Sequence, residues 1–283
     1  MVKLELKKFN MNSIPDGAVI LMLGKRHTGK SQLVRNFMKH NTDYPIGMVI
    51  SPTEASNGFF QNFIPKMLIY DKYEPAILER FVSRQKKMTE QFKREEAKFG
   101  KTTLDPRAFL ILDDCMYDKS WLTDENIRYL FFNGRHCKCA AMIITMQFPL
   151  GIPPMFRTNI DYIFILRENI INNRKRIFEQ YAGMFPSFDA FSQVMDQCTE
   201  NYECLVIDNR TQSNKLNDQV FWYKADVGGS DFKVCSQHLW SIQCQNDVSK
   251  GADADEDAEP EFSNELIVKS KKGPILNVRK ARA

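Results

Sequence analysis

The 283-residue sequence lacks the long apolar segment that a signal peptide or a membrane span requires. Charged residues interrupt its first ten positions, MVKLELKKFN, and no later run approaches the roughly 18 apolar residues of a spanning helix. Its seven cysteines are odd in number and widely spaced, which excludes a small disulfide-framework protein and indicates reduced thiols. We therefore expect an intracellular, soluble protein with no transmembrane segment.

The sequence also lacks a strong net charge. Its 39 Lys and Arg residues against 35 Asp and Glu give a formal charge of +4, too small for a histone-like nucleic-acid binder. The chain does contain 43% hydrophobic and 12% aromatic residues, enough to build the core of one or two domains. This composition excludes a disordered protein, and the function has to be sought in local motifs.

Short apolar runs alternate with amphipathic or charged stretches over most of the chain. The runs that predict strands are Ala18–Leu23, Met48–Ser51, Ala108–Leu112, Ala140–Met146, Tyr162–Leu166 and Glu203–Ile207. Most of them are apolar on both faces, which favours a mainly parallel sheet between two layers of helices. The predicted fold class is α/β.

Two charged segments depart from this pattern. Residues from Pro75 to Lys98 predict one helix, within an insertion over about residues 72–103, and the seven bases and four acids of this helix indicate a solvated, ion-paired surface. A surface facing nucleic acid is the alternative. After about Lys250, an acidic stretch precedes a basic one, and neither buries enough apolar surface to fold. We expect one domain over residues 1–248 and a flexible tail over residues 249–283.

The first motif with recognisable chemistry is an unbroken G-x-x-x-x-G-K-S that directly follows the first apolar run. Gly24 and Gly29 let the backbone curl so that successive N–H groups face phosphate oxygens, at the positive end of the next helix. We expect Lys30 to reach the β- and γ-phosphates of ATP and Ser31 to ligate Mg²⁺. The predicted nucleotide-binding residues are Gly24, Lys25, Arg26, His27, Thr28, Gly29, Lys30, Ser31 and Gln32.

Polar side chains follow two further apolar strands, at the strand ends where open α/β sheets bind ligands. Asp113 and Asp114 end one strand, and Gln147 follows the other. We predict that Asp113 holds Mg²⁺, that Asp114 polarises the attacking water, and that Gln147 hydrogen-bonds the γ-phosphate or that water. Solvated acids before a loop and a polar strand cap are the alternatives.

Four segments carry a family resemblance: GKRHTGKS, LILDDCMYDKSW, NGRHCKCAAMIITMQ and FPLGIPPMFRTNIDYIFILREN. In motif order and spacing they resemble the poxvirus-type DNA-packaging ATPases of nucleocytoplasmic large DNA viruses, within the FtsK–HerA superfamily. The resemblance covers roughly Ile14 to Tyr223. It implies a P-loop NTPase fold of the RecA/ASCE type and an ATP-driven motor that moves double-stranded viral DNA into a preformed capsid.

The resemblance also implies a homo-oligomeric ring, a pentamer or a hexamer, which acts in the host cytoplasm at the viral factory and on the assembling virion. Capsid components, or portal and membrane components, would be its partners. Many members of the superfamily have Asp-Glu where this chain has Asp113-Asp114, so the shorter side chain must reach the water from a closer backbone or through a bridging position. The residues to which the resemblance gives functional roles are Lys30, Ser31, Asp113, Asp114 and Gln147.

A ring motor of this kind needs a cation from the neighbouring subunit, which can change the rate by about 10³–10⁵. The resemblance assigns this role to Arg135, in a polar segment that precedes the strand ending at Gln147. The rival positions are Arg26, Arg157 and Arg167.

A DNA translocase must grip phosphates without reading bases, and the basic segments that suit this are residues 80–98, residues 174–176 and the tail. The segment from His136 to Cys139 has no second ligand pair at zinc-site spacing, and we interpret it as part of the core. No carboxylate trio of a two-metal nuclease follows Ile165. Two other functions remain open: a small-molecule kinase with the charged insertion as its lid, and a nucleotide-gated docking protein with the tail as its docking arm.

Overall fold

The computed structural model describes residues 5–115, 120–228 and 231–252. Within these residues, nine strands form one sheet, and helices cover both of its faces. The strands are β1 (Lys7–Lys8), β2 (Ala18–Leu23), β3 (Gly47–Ile50), β4 (Ile69–Tyr70), β5 (Ala108–Asp113), β6 (Cys139–Met146), β7 (Tyr162–Ile165), β8 (Glu203–Asp208) and β9 (Val220–Lys224).

The helices differ widely in length. They are α1 (Lys30–His40), α2 (Glu54–Asn57), α3 (Pro75–Phe99), α4 (Glu125–Asn133), α5 (Pro154–Arg157), α6 (Ile171–Tyr181), α7 (Phe188–Cys198), α8 (Leu216–Gln219) and α9 (Gln237–Ala252). Short 3₁₀ helices lie at Met11–Ser13, Phe60–Asn62, Lys66–Leu68, Ser120–Thr123, Gly134–Cys137 and Pro149–Gly151.

The order of the strands is β1-β9-β8-β7-β2-β6-β5-β3-β4. Neighbouring strands are parallel except where β8 pairs with β7 and with β9, which are antiparallel contacts. Strand β6 lies between β2 and β5, so the strand followed by Gln147 separates the strand before the glycine-rich loop from the strand that ends in Asp113. The predicted α/β fold of the P-loop NTPase type, with a mainly parallel sheet, is confirmed.

The central strand β2 shows why its sequence is apolar at every position. Leu21 and Leu23 pack into the core on one face of the sheet, whereas Ile20 and Met22 pack with Phe37 of α1 on the other face. Successive side chains of a strand point to opposite faces, so a strand covered on both faces is apolar at nearly every position. All residues of β2, β5 and β6 are buried. The carboxyl ends of these three buried strands position the site described below.

Three of the strands were not predicted from the sequence. Strands β1 and β4 contain two residues each and lie at the two edges of the sheet, where little apolar surface is needed. Strand β9 lies next to β1, and its middle residues are only half-buried. Nothing in the sequence indicated that β8 is antiparallel to its two neighbours.

Helix α3 is attached to the sheet through a buried amide. The side chain of Gln85 has no exposed surface, and its Nε2 lies 2.9 Å from the carbonyl oxygen of Pro106 and 3.1 Å from those of Cys137 and Lys138. Pro106 and Lys138 precede β5 and β6. The middle of α3 therefore lies at the amino ends of these strands.

The chain divides into a compact unit over Met1–Cys244 and a second unit over Gln245–Ala283, of which only the end of α9 is described. Among the residues that the structure describes, no helix is both long and apolar enough to cross a bilayer. The tail predicted over residues 249–283 lies outside the described residues from position 253 onward. Its boundary and its flexibility stay predictions.

Candidate active site

The glycine-rich loop connects β2 to α1 at the carboxyl edge of the sheet. The amide of Gly24 donates a hydrogen bond to the carbonyl of Met146 (3.0 Å), so the start of the loop is tied to the end of β6. Inside the loop, Thr28 Oγ1 donates to the carbonyl of Lys25 (2.8 Å). The contact of Thr28 thus stabilises the curled loop internally, and the contact of Gly24 attaches the loop to β6.

The two glycines of the motif serve different purposes. A methyl group on Gly24 would lie 2.6 Å from Thr28 Oγ1 and 2.9 Å from Leu166 Cβ, so Gly24 allows a close approach of the loop to its surroundings. Gly29 precedes α1 with φ +105°, in a region of backbone conformation that favours glycine. His27 also has a positive φ of +62°. The loop therefore combines a tight contact with left-handed backbone positions.

Lys30 is held inside the site. Its side chain is only 6% exposed, and its Nζ donates to the carbonyl of Lys25 (3.2 Å) and lies 3.5 Å from Oδ2 of Asp114. A buried ammonium group is costly unless it is paired, and these two oxygens are its partners. The positive charge thus lies between the loop and the acidic end of β5.

Both carboxylate oxygens of Asp113 accept hydrogen bonds from hydroxyl groups on the neighbouring strands. Ser51, directly after β3, donates to Oδ2 (2.8 Å), and Thr145 of β6 donates to Oδ1 (2.7 Å). Burial raises the pKa of Asp113, and the charge of Asp114 raises it further, whereas the two hydroxyl groups and Lys30 oppose the rise. This carboxylate is oriented and buried before any ligand arrives.

Asp114 has an unusual backbone conformation, with φ +48°. Its amide donates to the carbonyl oxygen (3.3 Å) and to Oγ1 (3.1 Å) of Thr145, which fixes the turn after β5. Its Oδ2 accepts a hydrogen bond from Nε2 of Gln147 (3.0 Å), and its buried Oδ1 has no hydrogen-bond partner. The left-handed turn is how this short side chain comes to face both Lys30 and Gln147.

The structure brings four of the predicted side chains together at the carboxyl edge of the sheet: Lys30, Asp113, Asp114 and Gln147. Ser31 and Gln32 follow Lys30 in the first turn of α1. Arg26 and His27 are exposed at the outer part of the loop.

Arg135 lies far from this cluster. Its short helix precedes β6, at the amino edge of the sheet, and a methyl group on Gly17 would lie 2.8 Å from its Cβ. The six residues of β2 put about 20 Å of strand between that edge and the glycine-rich loop. Arg135 therefore cannot contact the loop of its own subunit.

Two of the alternative arginines already have partners. Arg157 donates through Nε to the carbonyl of Ile152 (2.8 Å), and Arg167, just after β7, donates to Asn169 Oδ1 (3.0 Å). Arg174, in one of the basic segments proposed to grip DNA, is bound to Asp196 (2.6 Å) and is only 11% exposed. The guanidinium group of Arg174 is thus a structural group and not a free surface charge.

Glu168 is a further residue of the site and was not predicted from the sequence. This side chain is 4% exposed and forms an ion pair with Lys25 of the loop (2.7 Å). It also accepts hydrogen bonds from the amide of Ile170 (2.8 Å) and from Asn173 Nδ2 (3.1 Å), near the start of α6. A polar side chain soon after the end of β7 was the available signal, since the same rule identified Asp113 and Gln147.

The acidic residues suit a magnesium ion that arrives together with a nucleotide. No cluster of three or more His, Cys, Asp or Glu side chains that could hold a metal alone occurs in the described part of the chain. Mg²⁺ is usually bound by one or two carboxylates with substrate phosphates and water. The unpartnered Oδ1 of Asp114, the adjacent carboxylate of Asp113 and the hydroxyl group of Ser31 are oxygen donors of this kind. The residues present therefore fit the ion.

Replacing Thr145 with valine tests how the acidic pair is held. The change leaves the shape of the side chain nearly intact but removes the hydroxyl group that donates to Asp113 and accepts from the amide of Asp114. We expect the free energy of unfolding to fall by about 1.5–3 kcal/mol, because a buried charge loses a hydrogen bond. Urea denaturation measures this value, and Thr145→Ser, which keeps the hydroxyl group, is the control. A valine variant as stable as the wild type would contradict the role of this hydroxyl group.

Comparison with known proteins places the chain among viral sequences. It is 39% identical over 237 residues to the uncharacterized protein L437 of Acanthamoeba polyphaga mimivirus, a match that covers 82% of each chain. It is also 39% identical over 218 residues to the uncharacterized protein 075L of invertebrate iridescent virus 6, covering 76% of this chain and 80% of that one. No family model matches the chain.

Among solved structures, the genome packaging NTPase B204 from Sulfolobus turreted icosahedral virus 2, in complex with AMP, superimposes with a TM-score of 0.48. The sequence identity is 17%, and the match covers 77% of this chain and 100% of that one.

Proposed function

The chain belongs to the family of large-DNA-virus proteins that includes mimivirus L437 and iridescent virus 075L, and from this premise we propose that it is a genome-packaging ATPase of the poxvirus type. The protein would hydrolyse ATP to move double-stranded viral DNA into a preformed capsid. The observation that carries the proposal is the contact of one carboxylate, that of Asp114, with both Lys30 and Gln147. This contact joins a phosphate-binding cation to the two groups that can orient a water molecule.

In the proposed reaction, the loop amides and Lys30 bind the phosphates of ATP. Asp114 accepts a proton from the water that attacks the γ-phosphate, and Gln147 holds that water and the Asp114 carboxylate in one orientation. Asp113 and Ser31 would hold Mg²⁺, which supplies positive charge against the β- and γ-phosphates when it is bound. The hydroxyl groups of Ser51 and Thr145 keep Asp113 in place.

The position of the insertion favours hydrolysis over a small-molecule kinase. A kinase lid has to close over the phosphates, but Gln85 binds the middle of α3 to the amino ends of β5 and β6. The glycine-rich loop lies at the opposite edge of the sheet. The buried residues Ile77, Leu78 and Phe81 fix the start of the helix in the core, and the rest of the helix begins at the edge away from the loop. Neither part suits a lid that closes over the phosphates.

The location of Arg135 suits a ring of identical subunits. An arginine that cannot contact its own glycine-rich loop is free to serve the loop of a neighbour, and Arg135 is exposed at the far edge of the sheet. We propose that it acts in trans in a pentameric or hexameric ring, at the viral factory and on the assembling virion. Capsid, portal or membrane components would be the docking partners.

The experiment that tests the motor is ATP hydrolysis with and without double-stranded DNA. We expect DNA of any sequence to raise the rate several-fold at low salt, and the stimulation to fall as salt increases from about 50 to about 200 mM, because phosphate contacts release counterions. The exposed bases of α3, such as Lys86, Lys87 and Lys93, are contact candidates. A wild-type rate that DNA does not change would favour the nucleotide-gated docking protein.

A further inference from the structure

An exposed aromatic side chain lies beside the glycine-rich loop. A methyl group placed on Gly29 would be 3.6 Å from Cδ1 of Tyr202, so the two residues are neighbours. Tyr202 nevertheless has 68% of its surface exposed. Aromatic rings of this size usually bury most of their surface or bind a partner at an interface. The ring of Tyr202 thus offers an open apolar surface within reach of the phosphate-binding backbone.

The backbone holds Tyr202 in this place with a strained turn. Asn201 has φ +50° and Tyr202 has φ +64°, and the amide of Glu203 donates to the carbonyl of Glu200 (2.8 Å). Two left-handed central residues define a type I′ turn, in which glycine is the usual second residue. A tyrosine at that position is disfavoured, and such outliers cluster at ligand sites. The turn lies between α7, which ends at Cys198, and β8, which begins at Glu203.

The ring lies on the side of the loop opposite to Asp113, Asp114 and Gln147. Strands β6 and β5, with Gln147 and Asp114 at their ends, lie on one side of β2. Strands β7 and β8 lie on the other side, and because β8 is antiparallel to β7, Tyr202 at its start is at the same edge of the sheet as the loop. The two sides of the loop therefore differ in chemistry: Asp113, Asp114 and Gln147 lie on one side, and Tyr202 lies on the other with Glu168, whose charge is paired with Lys25.

We propose that Tyr202 stacks against the base of the bound nucleotide. The inference rests on the proposed ATPase function, in which the γ-phosphate faces Asp114 and the base must leave the loop at its other end. Stacking on an aromatic ring binds any nucleobase, since every base has a flat π-face, and it adds affinity without hydrogen bonds to the base edge. Tyr202 is then a binding residue for the base and takes no part in the hydrolytic step.

The test is a pair of substitutions in the full chain, with dissociation constants measured by calorimetry. Tyr202→Asn removes the ring but tolerates the left-handed backbone, and Tyr202→Phe keeps the ring. The ligands are ATP and inorganic tripolyphosphate, which has no base. We expect Tyr202→Asn to weaken ATP about 5- to 150-fold and to leave tripolyphosphate unchanged, whereas Tyr202→Phe binds both ligands like the wild type.

Other outcomes would overturn the inference. If Tyr202→Asn weakens ATP and tripolyphosphate equally, the ring supports the loop and does not bind the base. If the variant binds ATP as tightly as the wild type does, no stacking occurs. Wild-type protein that binds no ATP would contradict the proposed function itself, so the two failures can be told apart.

Discussion

Replacing Lys30 with alanine is expected to lower kcat/KM for ATP by about 10²–10³-fold, with a rise in the dissociation constant for ATP. The ammonium group is buried between the loop and Asp114, where a charge interacts with phosphate far more strongly than it does at an exposed position. Steady-state hydrolysis and calorimetric binding measure the two effects. Lys39→Ala is the matched control, because Lys39 lies at the other end of α1 and contacts Asp226 and Gly228.

The Lys30 variant also tests the role of Arg135 in trans. Subunits with Lys30→Ala keep a normal arginine, and subunits with Arg135→Ala keep a normal loop. In mixed rings some interfaces therefore contain both intact groups, and hydrolysis should exceed that of either variant alone. If the mixtures show no recovery, Arg135 does not act on a neighbouring subunit. If Lys30→Ala alone hydrolyses ATP at the wild-type rate, this lysine does not bind the phosphates.

Replacing Asp114 with asparagine is expected to lower kcat by about 10²–10⁴-fold, because the site loses the proposed acceptor of the proton from water. The binding of ATP should be preserved or tighter. In the free protein Lys30 is paired with Asp114, and asparagine no longer competes with the phosphates for that ammonium group. Gln147 keeps an acceptor, since its Nε2 can donate to the amide oxygen of asparagine.

Single-turnover hydrolysis and equilibrium binding separate these two effects for Asp114→Asn. Asp71→Asn, at an exposed position just after β4, is the control for loss of a charge near the same edge of the sheet. Loss of ATP binding in Asp114→Asn would mean that the carboxylate organises the loop. An unchanged kcat would assign the proton to a different acceptor.

Sequence patterns predicted the parts of the site that lie at the ends of long buried strands. Strands β2, β5 and β6 are apolar on both faces, and each is followed by the residues that its pattern marks as functional. Strands β1 and β4 are too short to form a pattern. The antiparallel course of β8 depends on its pairing with β7 and β9, which the local sequence does not encode.

The residues that hold the acidic side chains in place could not be predicted from the sequence, because their contacts depend on the register between neighbouring strands. Ser51 and Thr145 are ordinary hydroxyl residues in the chain, and only the pairing of Thr145 with Asp113 across β6 and β5 shows that they hold a carboxylate. Glu168 could have been predicted, because it is a polar residue shortly after the end of β7. Tyr202 belongs to a turn that meets Gly29 only because β8 runs back along β7.

Strand β6 connects Arg135 with Gln147, the two residues that would contact different nucleotides in the proposed ring. It ends next to Gln147, and the short helix with Arg135 precedes its first residue, so one strand connects the two groups that would face two successive nucleotides. Its eight residues are all buried, and tight packing on both faces prevents it from bending. If the proposed roles hold, a shift of Gln147 after the γ-phosphate leaves would be transmitted along this strand to Arg135. In the proposed ring, the strand would couple ATP hydrolysis in one subunit to hydrolysis in the next.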